Sequence, residues 1–127
     1  MSRPIVFLSY SHEDRAWAKT FADALKEQGL ALWFDEWELK PGDKLADAME
    51  KALRESQALI FLLGPESLDQ PALFFELGAA VALKKRIIPV VSEGVERSKI
   101  PGLLLHMRHV VRRDPEETAI EVAKAVA

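Results

Sequence analysis

Short apolar runs alternate with amphipathic stretches along the whole chain. Residues 5–10 (IVFLSY), 30–34 (LALWF), 58–63 (ALIFLL), 87–91 (IIPVV) and 109–112 (HVVR) have the length and the branched or aromatic character of strands. Three of them are apolar without a break, as strands covered on both faces are. Pro89 is out of keeping with an inner strand, because it cannot donate to the ladder, and it predicts a bulge or a strand end.

The stretches between the strands carry helical spacing. Ser11 and Asp14 resemble a capping box opening a helix that runs to about Gln28, with Trp17, Phe21 and Leu25 as its apolar stripe and Gly29 as its stop. Asp43 is placed to cap a second helix on Leu45, Ala48, Met49, Ala52 and Leu53. Pro71 opens a third, and Lys84, Lys85 and Arg86 suit its negative end. Asp114-Pro115-Glu116-Glu117 supplies a cap, a first-turn proline and two acids for a terminal helix on Ile120, Ala123 and Val126.

The order is βαβαβαβ, a longer irregular connection, then βα. Such alternation predicts an α/β fold of the flavodoxin-like kind: a five-stranded parallel sheet, order 2-1-3-4-5, with helices on both faces. The chain reads as a single domain over 1–127, either whole or one domain of a longer protein. In a doubly wound sheet, ligands bind outside the carboxyl ends of the strands near the switch in strand order. That gathers residues 10–14, 35–43 and 64–70 around one crevice.

Glu76 stands out against this frame. It is the only charged residue between Gln70 and Leu83, in the run ALFFELGAAVAL. A helix apolar on nearly every face goes into the fold, and a carboxylate carried in with it costs several kcal/mol or has its pKa raised. A carboxylate working in a pocket, just downstream of Gly64 and Ser67, accounts for that cost; a helix-edge Glu reaching water or a loop is the plainer alternative.

Composition narrows the classes. The 127 residues are 49% hydrophobic and 29% charged, which is globular composition. A net charge of −3 gives no general attraction to nucleic acid or acidic lipid. The absence of cysteine removes disulfides, thiol catalysis and thiolate metal sites. No apolar stretch approaches the ~18 residues of a membrane span, and no signal-peptide core follows the N-terminus. These features predict a cytoplasmic domain with neither membrane nor direct nucleic-acid contact.

Three segments together resemble the Toll/interleukin-1 receptor (TIR) domain family in its bacterial form. FLSYSHED at 7–14 is similar to the family's first box, WFDEWELKPGD at 33–43 to its second, and SLDQPALFFELGAAVALKKRIIPVV at 67–91 to its third region. Members of this family are either scaffolds or enzymes that cleave the nicotinamide–ribose bond of NAD with a glutamate of the third region, and Glu76 falls on that position. The resemblance therefore implies an NAD nucleosidase with Glu76 catalytic, NAD as substrate and no cofactor, yielding ADP-ribose or a cyclic variant. It also implies activation by self-association through the loop after the second strand, driven by a sensor domain or protein, in antiviral defence. The alternatives are a TIR scaffold without chemistry and, on general chemical grounds, a nucleoside deoxyribosyltransferase.

The same resemblance gives roles to further residues. Tyr10 and Ser11 fall in the first loop, Tyr10 to stack on a ring and Ser11 to donate to ribose or phosphate, although Ser11 is equally a helix cap. Asp35 and Ser67 join the substrate site, Ser67 as a ribose partner, although Ser67 is equally a cap for a helix or turn and Asp35 a solvated charge. Enzymatic members often carry tryptophan four residues before the glutamate; here that residue is Ala72, leaving Phe74, Phe75 or a residue of another loop to supply the aromatic wall. Trp37, Lys40, Pro41, Gly42 and Asp43 form the assembly loop, while Trp33 alternates inward as core. A substrate role or a packed loop anchor is the alternative for Trp37; a solvated charge is the alternative for Asp43 and the favoured reading of Lys40. His12, His106 and His109 invite a metal reading, but no acidic cluster joins His106 and His109, and His109 begins a predicted strand, so no metal is expected. Arg108, Arg112 and Arg113 read as a solvated basic edge.

Overall fold

Strand β3 (Ala58–Leu63) buries all six of its residues, and the other strands are arranged about it. Its neighbours are β1 (Ile5–Ser9) and β4 (Arg86–Val91), with β2 (Ala31–Trp33) outside β1 and β5 (Val110–Val111) outside β4. All pairs are parallel and the order is β2-β1-β3-β4-β5, the expected doubly wound arrangement. The computed structural model describes residues 4–33, 51–65, 71–100, 102–105 and 107–126, with the backbone alone at 12, 71–76, 97, 103 and 105.

Strand parity sorts the core into two layers. Val6, Leu8, Ile60, Leu62, Ile88 and Val90 face one side, where α1 (Arg15–Glu27) contributes Phe21 and Leu25 and α5 (Pro115–Val126) contributes Ala119 and Val122. Phe7, Leu59, Phe61, Leu63 and Val91 face the other. There they meet Ala52 and Leu53 of α2 (described over 51–55), Leu77 and Ala80 of α3 (Pro71–Ala82) and Leu104 of α4 (Gly102–Leu105). A helix on each face removes β3 from water on both sides, which is why its sequence shows no alternation.

Several local expectations change. The first helix is preceded by a 3₁₀ turn, His12–Asp14, and Asp14 makes no side-chain cap bond, so Ser11 and Asp14 do not form a capping box. Pro89 is neither a bulge nor a strand end, being paired with Phe61 inside β4. Ser92 N–H donates to Leu63 of β3, while the carbonyl of Val91 accepts from Arg112, beyond β5. By alternation, residue 89 turns its backbone toward the β5 side, where pairing begins only at Val90. The missing N–H therefore costs no ladder bond. Trp33, expected in the core, is 36% exposed on the outer strand β2. On α5 the buried stripe is Thr118, Ala119 and Val122, whereas Ile120 is exposed.

Other signals hold. Asp114 Oδ1 accepts from Glu117 N–H at 2.9 Å, capping α5 as its sequence predicts. Gly29, at φ 91°, closes α1 with the paired bonds Gly29 N–H to Lys26 and Leu30 N–H to Leu25. The end of α3 has the same bond pattern, Lys84 N–H to Val81 and Lys85 N–H to Ala80, but with Lys84 at φ 57° in the glycine position. Asp43, Leu45, Ala48 and Met49 lie outside the described residues.

The two helix ends predict opposite responses. Nothing lies within 4 Å of a Cβ built on Gly29, so Gly29→Ala meets only the backbone penalty and is expected to lose about 1 kcal/mol in urea denaturation. Lys84→Gly relieves the same penalty and is expected to gain about 1 kcal/mol. A destabilised Lys84→Gly would contradict the strained-cap account.

Candidate active site

The loops that leave β1 and β3 part to opposite faces of the sheet, and the crevice of a doubly wound fold opens between them. On the β1 side stand Ser9, Tyr10 and Ser11; on the β3 side stand Gly64 and Pro65. Helix α3 begins at this edge and runs back along the sheet, with Leu77 and Ala80 in the core beneath it. Glu76 is the sixth residue of α3, roughly 8 Å along the axis from Pro71. It precedes Ala80 by one turn on the same helical face. Phe75 lies beside it in the same turn of helix.

Tyr10 is half-buried and packs against the core on the α1 and α5 side. Ser11 is buried, and its Oγ donates to Asp14 Oδ2 at 3.1 Å. Asp35, Ser67 and the loop residues Trp37, Lys40, Pro41, Gly42 and Asp43 lie outside the described residues. The structure thus brings Tyr10, Ser11 and the start of α3 to the same edge of the sheet, from opposite faces.

Asp14 organises the β1 side. Its Oδ1 accepts from Arg112 Nη1 at 2.7 Å, with side chains 9% and 19% exposed. The Arg112 guanidinium lies 4.2 Å from the centroid of the Trp17 ring, and Trp17 Nε1–H donates to the Arg113 carbonyl at 3.3 Å. A Cβ on Gly64 would come within 3.0 Å of Asp14 Oδ2, so the absence of a side chain at the end of β3 lets the carboxylate settle there. Arg112 is therefore no solvated edge; it clamps the first loop to the end of β5. Sequence offered a weak signal for this pair. Asp14 and Arg112 follow two strands whose helices, α1 and α5, pack on the same face, which brings both helix starts together.

Ser9 was also missed. It is 2% exposed, and its Oγ has no hydrogen-bond partner among the described residues. Leaving a buried hydroxyl unpaired costs about 1–3 kcal/mol.

Two clefts of ≈ 550 Å³ accompany these features. One lies at the carboxyl edge beside Asp14, Pro65, Ser92, Glu93 and Arg112. The other lies at the opposite edge, where Ile88, His109 and Lys124 meet. The carboxyl edge is the more telling, because it is where the helix starts and strand ends collect polar groups. His109 serves the fold by donating from Nε2 to the Leu104 carbonyl at 2.6 Å. No group of three metal-binding side chains occurs among the described residues.

Comparison with known proteins agrees with this architecture. The family described as TIR domain matches residues 6–124. The chain is 30% identical over 99 residues to the NAD(+) hydrolase TcpA of Theionarchaea archaeon (strain DG-70-1), covering 75% of this chain and 30% of that protein. It is 31% identical over 91 residues to the probable 2′ cyclic ADP-D-ribose synthase BdTIR of Brachypodium distachyon, covering 70% of this chain and 41% of that one. The chain therefore spans well under half the length of these curated relatives. The TIR domain of the Toll-related receptor TRR-2 from Hydra magnipapillata superposes with a TM-score of 0.77 at 22% identity, covering 95% of this chain and 96% of that one.

The Asp14–Arg112 clamp gives a direct test. Arg112→Met strands a buried carboxylate and is expected to cost about 3 kcal/mol in urea denaturation. Adding Asp14→Asn removes the stranded charge and is expected to recover part of that loss. If Arg112→Met costs no more than an exposed pair, the clamp does not hold the loop.

Proposed function

This chain belongs to the TIR domain family, and on that premise we propose that it cleaves the nicotinamide–ribose bond of NAD. The observation that carries the proposal is Glu76: the one charge in an apolar helix, on the helical face shared with buried Ala80, at the edge where the strands end. Relatives at 30% and 31% identity that are named as an NAD hydrolase and a probable cyclic ADP-ribose synthase support it.

The chemistry asks little of the protein beyond a placed anion. The C1′–N1 bond breaks, and nicotinamide leaves as a neutral base with the bonding electron pair, so it needs no general acid. Positive charge develops over C1′ and the ring oxygen, and a carboxylate beside it, or bonded to the ribose hydroxyls, stabilises that charge. Water then adds at C1′ and loses its proton to give ADP-ribose; attack by a hydroxyl of the same molecule gives a cyclic product. In this reading Tyr10, Ser11, Asp35, Ser67 and Phe75 hold the substrate. The loop with Trp37, Lys40, Pro41, Gly42 and Asp43 joins neighbouring copies under the control of a sensor, in a cytoplasmic defence role. No helix among the described residues is long and apolar enough to cross a membrane.

Ala72, where enzymatic members carry tryptophan, favours a second reading as a scaffold that recruits other TIR domains without chemistry. One experiment separates the two. The chain is clustered on a surface or by crowding, supplied with NAD, and nicotinamide is followed by chromatography beside Glu76→Gln. Release is expected, and it is expected to fall by about a hundredfold or more in the variant. No release from a chain shown to be clustered supports the scaffold, and equal release from both proteins removes Glu76 from the mechanism.

A further inference from the structure

The carboxyl end of β1 holds a buried hydroxyl that no described residue bonds. Ser9 is 2% exposed and its Oγ meets no hydrogen-bond partner among the described residues. Alanine would fill nearly the same space without taking a polar group out of water, so packing does not account for a serine here.

Its direction follows from the strand. Ser9 is in register with Phe61 and two residues on from Phe7, and both phenylalanines belong to the core layer beneath α3. Leu77 and Ala80 bring α3 onto that same layer. Residue 76 shares the helical face of Ala80, one turn nearer the edge where β1 ends at Ser9. The hydroxyl lies inside the fold, so a group carried by the packed helix can meet it, whereas a solute would first have to displace what covers it.

Resting on the reading of Glu76 as the residue that acts on ribose, we infer that Ser9 is a positioning residue for that carboxylate. With substrate bound, the Ser9 hydroxyl donates a hydrogen bond to one Glu76 oxygen and leaves the other for the developing charge at C1′. A bond from a neutral hydroxyl to a carboxylate is charge-assisted, and it fixes the anion without neutralising it. That Ser9 has no partner among the described residues is then the cost of a hydroxyl held ready for turnover.

Ser9→Ala and Ser9→Thr are compared with the wild-type chain in the clustered NAD assay and in urea denaturation. Ser9→Ala is expected to lower kcat about tenfold while KM stays within about twofold. Its unfolding midpoint is expected to be unchanged or raised, because an unpaired hydroxyl has been removed. Ser9→Thr keeps the hydroxyl and is expected to recover most of kcat. Unchanged kcat in Ser9→Ala, a rise in KM alone, or a loss of stability in Ser9→Ala each overturns the assignment, the last because it would show a structural partner in the free fold. A clustered wild-type chain that releases no nicotinamide sinks the NAD reading and the role of Ser9 with it. An active wild type with an unaffected Ser9→Ala sinks only the latter.

Discussion

Burial of the central strand on both faces is the constraint on which the rest of the structure depends. β3 has no exposed residue, and its six positions supply both core layers in alternation. A strand dry on both sides needs helices above and below it. Parallel neighbours joined by right-handed crossovers deliver them, with α1 and α5 on one face and α2, α3 and α4 on the other. The same geometry sends the loops after β1 and β3 in opposite directions, so the crevice between them is a by-product of covering the sheet twice.

Polar groups collect at the carboxyl edge because that is where helices start. On the β1 side the polar groups are satisfied among themselves: Ser11 and Arg112 both bond Asp14, and Arg112 lies over Trp17. This network ties loop, sheet end and α5 into one unit, and a charge pair so little exposed holds only because the guanidinium has both a carboxylate and a ring to meet. In the core layer beneath α3 the account does not close. There Ser9, the last residue of β1, has a hydroxyl with no partner among the described residues, and Glu76 enters on an otherwise apolar helix. The Asp14 network serves stability, whereas the Ser9 hydroxyl makes no bond to any described residue. The proposed site rests on that contrast more than on the volume of either cleft.

Membership in the TIR family and the reading of the site are independent arguments that meet at α3. The family match spans residues 6–124 and rests on sequence. The proposed site rests on the one charged residue of an apolar helix and on the edge of the sheet where that helix begins. Glycosidic cleavage of a cationic pyridinium is suited to such a site, since one fixed anion does most of what the transition state requires.

The fold was legible to an unusual degree. Unbroken apolar runs named the two-sided strands, and Gly29, Pro71 and Asp114 marked helix ends by local chemistry that needs no distant partner. Glu76 stands out in the sequence as an anomaly, because a lone charge in an apolar run is visible within a dozen residues. What stayed hidden depended on who sits opposite. Trp33 read as core because alternation does not reveal that its strand is an outer one. Pro89 read as a defect because sequence does not show where the neighbouring strand begins to pair. Asp14 read as a helix cap and Arg112 as a surface charge, when 98 residues of separation close to a 2.7 Å ion pair. By itself the sequence determined periodicity, caps and the one anomalous carboxylate, since these follow from local dihedral and burial preferences. Only the tertiary structure decided which polar groups find partners and which, like Ser9, find none among the described residues, since pairing is a property of distance in space.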